Sequence, residues 1–177
     1  MSELVGEGAG GMENVVSGEK TSTMFWFLSL LGLAVFFPFF QLQIVTGPLV
    51  NALLFIATVV LGWRKAVWIC LLPSVVAYSL GVLPAILGPM IPFIMLGNII
   101  LVVVFHPLWR KNFWLGVGAA SILKFIFLFA SSRLLFSLIL KNTLAPAIAM
   151  TMSWPQLYSA LIGGIIAYIF LKFVKRI

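Results

Sequence analysis

From Met24 to Ile177 the chain carries no aspartate or glutamate, and this stretch divides into six apolar runs separated by turn residues. All four carboxylates, Glu3, Glu7, Glu13 and Glu19, precede Lys20. A membrane helix needs about 20 apolar residues to cross about 30 Å of hydrocarbon. The runs are Met24 to Leu42, Gly47 to Gly62, Ala66 to Leu83, Gly88 to Phe105, Phe113 to Leu140 and Trp154 to Phe173. With 63% hydrophobic and 8% charged residues, the composition is that of an integral membrane protein. The expected fold class is all-α, a six-transmembrane-helix bundle over residues 23–177. Residues 1–22, rich in Gly, Ser and Glu, are expected to form a disordered cytoplasmic tail.

Missing carboxylates narrow the chemistry. Ion-coupled carriers usually place Asp or Glu in the bilayer, sites for hard cations need carboxylate oxygens, and acid–base enzymes need a carboxylate or histidine. Cys70 is the single cysteine and His106 the single histidine, so neither a thiolate cluster nor a histidine metal site can assemble within one chain. No metal, cofactor or catalytic residue is expected, and the chain is read as a binder and not an enzyme. Its basic residues flank apolar runs instead of forming an arginine stripe, which points to membrane orientation and away from nucleic acid.

Glycine and proline punctuate the runs. Gly47-Pro48, Gly62, Pro84, Gly88-Pro89, His106-Pro107 and Trp154-Pro155 mark turns or helix starts, while Pro38, Pro73 and Pro92 fall inside spans and are expected to kink them. Arg64 and Lys65 lie in the second turn, Arg110 and Lys111 in the fourth, and Lys172, Lys175 and Arg176 at the C-terminus. By the positive-inside rule both termini then face the cytoplasm (N-in/C-in) of a multi-pass protein of a bacterial or archaeal inner membrane. Trp26, Trp63, Trp109 and Trp114 suit interfacial anchors.

A helix rises about 1.5 Å per residue, which sorts the polar residues by depth. Asn51 comes roughly 6 Å and Tyr78 about 8 Å below the outer ends of their spans, with Asn98 and Lys124 near mid-membrane. Gln43 lies in the first outer turn, and Trp154, Gln156 and Tyr158 open the last span from outside. The inner half offers mainly Ser29, Thr58, Ser74 and Ser121, hydroxyls that can bond back to their own helix. Polar capacity therefore gathers in an outward-facing half, as in a pocket open to the exterior.

Lys124 is the sharpest signal. A cation near the bilayer centre costs about 2.5 to 3.5 kcal/mol on insertion scales, so a polar partner must face it. The amide oxygen of Asn98, carbonyls freed near Pro92, deprotonation of the lysine, or an anionic ligand would each answer that need. Ser121, Lys124 and Ser131 share one face of their helix, and Arg133 points the opposite way. Ser159, Ala160, Gly163, Gly164 and Ala167, with Gly116 and Ala120, form small-residue patterns suited to close packing within the bundle.

Thr46-Gly47-Pro48-Leu49-Val50-Asn51-Ala52, then Leu71-Leu72-Pro73-Ser74, then Gly88-Pro89-Met90-Ile91-Pro92-Phe93-Ile94 leading to Gly97-Asn98, resemble membrane-embedded substrate-binding S components of energy-coupling factor (ECF) transporters. The resemblance covers about half the chain, from Gln43 to Phe105 with Lys124 included. It implies capture of a micronutrient from outside, with a transmembrane coupling subunit and cytoplasmic ATPases as partners. Where the family often carries alanines at four-residue spacing in the first span, this chain has Ser29, Gly32 and Ala34. The expected substrate-binding set is Gln43, Asn51, Tyr78, Asn98, Lys124, Trp154 and Gln156, set among membrane lipid and taking a small polar or anionic solute. The alternatives are a non-transporting scaffold subunit, then a channel or flippase-like permease, then an enzyme built on a Ser121 or Ser131 dyad with Lys124.

Overall fold

The fold is described from a computed structural model. It covers residues 6–40, 42–81, 85–138 and 153–177, with side chains described for all of these except 6–20, 43, 85–87 and 136–138. Among the described residues the chain is all helical. Six α-helices follow in order: α1 (Gly6–Phe36), α2 (Gln43–Leu61), α3 (Trp63–Ser79), α4 (Ile91–Trp109), α5 (Phe113–Leu138) and α6 (Trp154–Phe173). Short 3₁₀ turns at Phe37–Phe40 and Ala85–Met90 follow α1 and precede α4. Among the described residues five segments are long and apolar enough to cross a membrane: Thr21–Phe40, Ile44–Leu61, Gly88–Trp109, Phe113–Leu135 and Trp154–Phe173. The third expected span is the shortest helix. With 17 residues, α3 reaches about 25 Å.

Several boundaries differ from the sequence reading, each for a local reason. Helix α1 begins at Gly6 instead of near Met24, so residues 6–22 of the expected tail continue the helix of the first apolar run, and residues 1–5 lie outside the described residues. Extending an existing helix costs far less than nucleating one. Helix α2 begins at Gln43, four residues before Gly47, and Pro48 sits inside it. Pro48 is the sixth residue of α2, so its missing amide leaves the Ile44 carbonyl in the first turn without its usual intrahelical donor. His106-Pro107 likewise lies within α4, which ends at Trp109. Pro92 occupies the first turn of α4 and Pro38 the 3₁₀ turn after α1, so of the three expected kink positions only Pro73 stands inside its helix.

Helix α2 is the hub. It packs along α6 and also meets α1, α3 and α4, while α4 lies along α5 and α5 touches α6. Seven consecutive residues of α2, Ala52 to Thr58, are buried, as befits a helix surrounded on all sides. From Phe55 among them a chain of rings runs across the bundle. Phe55 meets Phe105 at 4.7 Å and 66°, Phe105 meets Phe113 at 5.4 Å and 87°, and Phe113 meets Tyr168 at 5.3 Å. The first two are edge-to-face, an arrangement that adds about 0.5–1.5 kcal/mol beyond area burial.

Without a hydrophobic drive between helices in lipid, close approach depends on small residues. The patterns expected to serve packing inside the bundle do so. A Cβ on Gly163 of α6 would lie 2.7 Å from Asn51 Cβ, 2.8 Å from the Pro48 oxygen and 2.9 Å from the Ala52 nitrogen, all on α2. On Gly164 it would collide with the Val117 side chain of α5, and on Gly116 it would lie 3.0 Å from Phe105 of α4.

Candidate functional site

Lys124, 3% exposed at the middle of α5, donates from Nζ to Asn51 Oδ1 at 2.6 Å and to Asn98 Oδ1 at 2.7 Å. Both asparagines are buried too, Asn51 on α2 and Asn98 on α4. An ammonium has only donors, so each amide must turn its oxygen inward and its NH2 group away. For Asn51 that rotation is used again. Its Nδ2 donates to Ser159 Oγ on α6 at 3.1 Å, and Ser159 Oγ donates to the Gln156 backbone carbonyl at 3.0 Å. A directed chain of donors thus leads from the buried cation to the first turn of α6, joining four helices.

The helix starts explain how these side chains meet. Lys124 lies eleven residues into α5 and Asn98 eleven residues before the end of α4, each about 16 Å from the end of the bundle that holds Arg64 and Arg110. Asn51 lies ten residues before the end of α2, about 15 Å from the same end. All three stand at one level. Two glycine contacts bring the backbones close there. Gly97, next to Asn98, faces the Leu128 side chain of α5, where an added Cβ would be 3.2 Å away, and Gly163 faces the α2 backbone at Asn51.

The buried stripe of α5 follows the expected face. Ser121, Lys124, Leu128 and Ser131 are all buried, whereas Arg133 is exposed with its guanidinium 5.0 Å over the Phe129 ring. Arg133 is therefore separate from the cluster. Thr58 bonds back to the Leu54 carbonyl at 2.7 Å, as hydroxyls in membrane helices do. Ser121 does not. Its buried Oγ has no hydrogen-bond partner among the described residues, so Ser121 and Lys124 are not hydrogen-bonded to each other in this arrangement.

Of the seven expected site residues, the structure joins Asn51, Asn98 and Lys124 directly. Gln156 joins the network through its backbone carbonyl. Tyr78 on α3 is 39% exposed and packs its ring and hydroxyl against Gly88, away from the cluster. Trp154 is 60% exposed, with its ring 5.5 Å from Phe125 at 30°, one residue along α5 from Lys124. Gln43 is the first residue of α2, and its side chain lies outside the described residues. Ser159 was read only as a small packing residue. The signal that could have revealed it is its spacing, four residues before Gly163, which places it on the face toward α2.

Chemically, the cluster is an ammonium held by two neutral oxygens, with no carboxylate anywhere in the apolar body of the chain. It is suited to accept negative charge. The described residues include no group of three or more His, Cys, Asp or Glu that could hold a metal ion. Comparison with protein-family models, with curated proteins and with solved structures yields no match.

Proposed function

We propose that the chain is a membrane-embedded solute-capture subunit of ECF type, taking up a small micronutrient that bears an anionic group. The observation that carries this reading is the buried Lys124 cation, neutralised by no carboxylate and held by Asn51 and Asn98 alone among the described residues. A solute carboxylate or phosphate exchanging with one of these amides adds an opposite charge to the charge-assisted bond that the lysine already makes, and so neutralises the buried cation. Asn51 and Asn98 then supply paired donors and acceptors beside it, and the exposed ring of Trp154 covers the approach along α5.

In this reading all six helices cross the membrane, both termini lie inside, and the α6 end that begins with Trp154 faces out. The asymmetric placement of lysine and arginine supports that orientation. The sequence carries no P-loop and no carboxylate within the bilayer, so the energy for uptake comes from a coupling subunit and cytoplasmic ATPases. A second reading, a non-transporting scaffold, is favoured by one observation. Lys124 already has two internal acceptors, and the network pins four helices together.

Gentle extraction with native lipid, followed by mass spectrometry, separates the two. Capture gives a co-purifying anionic small molecule together with ATPase subunits. A chain that arrives with a stable membrane-protein partner and no solute contradicts capture and supports the scaffold.

A further inference from the structure

We infer that the end of the bundle formed by the α2–α3 and α4–α5 turns is a binding site for the headgroup of an anionic phospholipid. The turns are neighbours. Trp63, the first residue of α3, lies 6.5 Å ring to ring from His106 in the last turn of α4. The turn that carries Arg64 and Lys65 thus neighbours the one that carries Arg110 and Lys111, and every side-chain carboxylate of the chain precedes Lys20. Among the described side chains no carboxylate is present to neutralise these four cations.

The arginines are held at the level where headgroups lie. The Arg64 guanidinium sits 5.6 Å from the centroid of the Trp63 ring, and that of Arg110 sits 5.8 Å from the centroid of Trp109. Tryptophan marks the boundary between hydrocarbon and headgroup, and a guanidinium stacked there presents its fork to phosphate oxygens in the bidentate geometry it favours. Two further polar atoms lie in the same place without partners. Trp109 Nε1 and His106 Nδ1 are both covered and make no hydrogen bond among the described residues. The indole N–H is a donor only, and a phosphate oxygen drawn to Arg110 is the acceptor that a small rotation of the ring would bring to it. Basic pockets between membrane helices are recognised settings for anionic headgroups.

Reconstitution in nanodiscs of phosphatidylcholine alone, or of equal parts phosphatidylcholine and phosphatidylglycerol, followed by native mass spectrometry of retained lipid, tests this. The chain is expected to retain phosphatidylglycerol preferentially, and the R64Q/R110Q variant to weaken that retention about 30-fold. Trp109→Phe keeps the ring and removes the N–H, and should weaken retention several-fold. K172Q/K175Q removes the same charge from the end of α6 and should change it far less. Equal retention of both lipids, or an equal loss in R64Q/R110Q and K172Q/K175Q, overturns the site. Displacement of phosphatidylglycerol by inorganic phosphate at matched concentration assigns the turns to a soluble phosphate and overturns the lipid assignment.

Discussion

Asn98→Leu is expected to destabilise the bundle by about 1.5 to 3 kcal/mol, the worth of a hydrogen bond to a charged group. The leucine fills the space but leaves the Lys124 cation with Asn51 as its one remaining acceptor among the described residues. Lys124→Met behaves differently. It removes a cation whose insertion costs about 2.5 to 3.5 kcal/mol, and it strands two amide oxygens at about 1 to 3 kcal/mol each. These terms are of similar size, so its net effect on stability is small. The double variant N98L/K124M strands one oxygen and no charge, and it should be more stable than Asn98→Leu alone. The expected coupling is about 2 kcal/mol, where independent sites would add to within about 0.5 kcal/mol. Reversible unfolding in mixed micelles measures all four corners of the cycle. Simple additivity would mean that the two side chains do not interact.

Gly163→Ala is the second large effect. The added methyl would meet the Pro48 oxygen and the Ala52 nitrogen at 2.8 and 2.9 Å, and these are backbone atoms that no rotamer change can move aside. Helices α2 and α6 must separate, at an expected cost of about 1 to 3 kcal/mol, the range for overpacking a tight interface. Separation also lengthens the Asn51–Ser159 hydrogen bond, now 3.1 Å. The loss therefore reaches the site as well as the fold. Gly118→Ala, where nothing lies within 4 Å of the added Cβ, is the control. It should be neutral or stabilising, since alanine favours helix over glycine by about 1 kcal/mol. Equal effects of the two substitutions on unfolding would remove the close contact from the account.

Much of the helical layout was legible because apolar runs of membrane length leave few choices, and α6 matches its expected limits, Trp154 to Phe173. Depth was legible where a helix end was correctly placed. Lys124 was placed because α5 starts at Phe113 as expected, and Asn98 because α4, which runs from Ile91 to Trp109 instead of Gly88 to Phe105, shifted too little to move it from near the middle. Asn51 was placed too near the surface because Gly47-Pro48 was read as a helix start. Moving the start of α2 to Gln43 puts Asn51 about 12 Å into its helix, at the level of the ammonium. For Tyr78 and Trp154 height alone left open which way the side chain faces. Counting along a helix gives height but not rotation relative to its neighbours, and both residues turn out to be exposed. Packing at Gly97 and Gly163 sets those rotations, and a single sequence does not show which backbone each glycine meets.

The role of Lys124 is tested most directly by the affinity of Lys124→Met for the anionic solute that co-purifies with the unaltered chain, titrated by ligand-induced thermal stabilisation in the same lipid. Truncating one partner of a buried, hydrogen-bonded charge pair costs about 2 to 5 kcal/mol, so binding should weaken by roughly 30-fold to several thousand-fold. Stability without solute should change little. An affinity equal to that of the unaltered chain would show that the cation does not meet the solute, and would leave Lys124 as a clamp among helices.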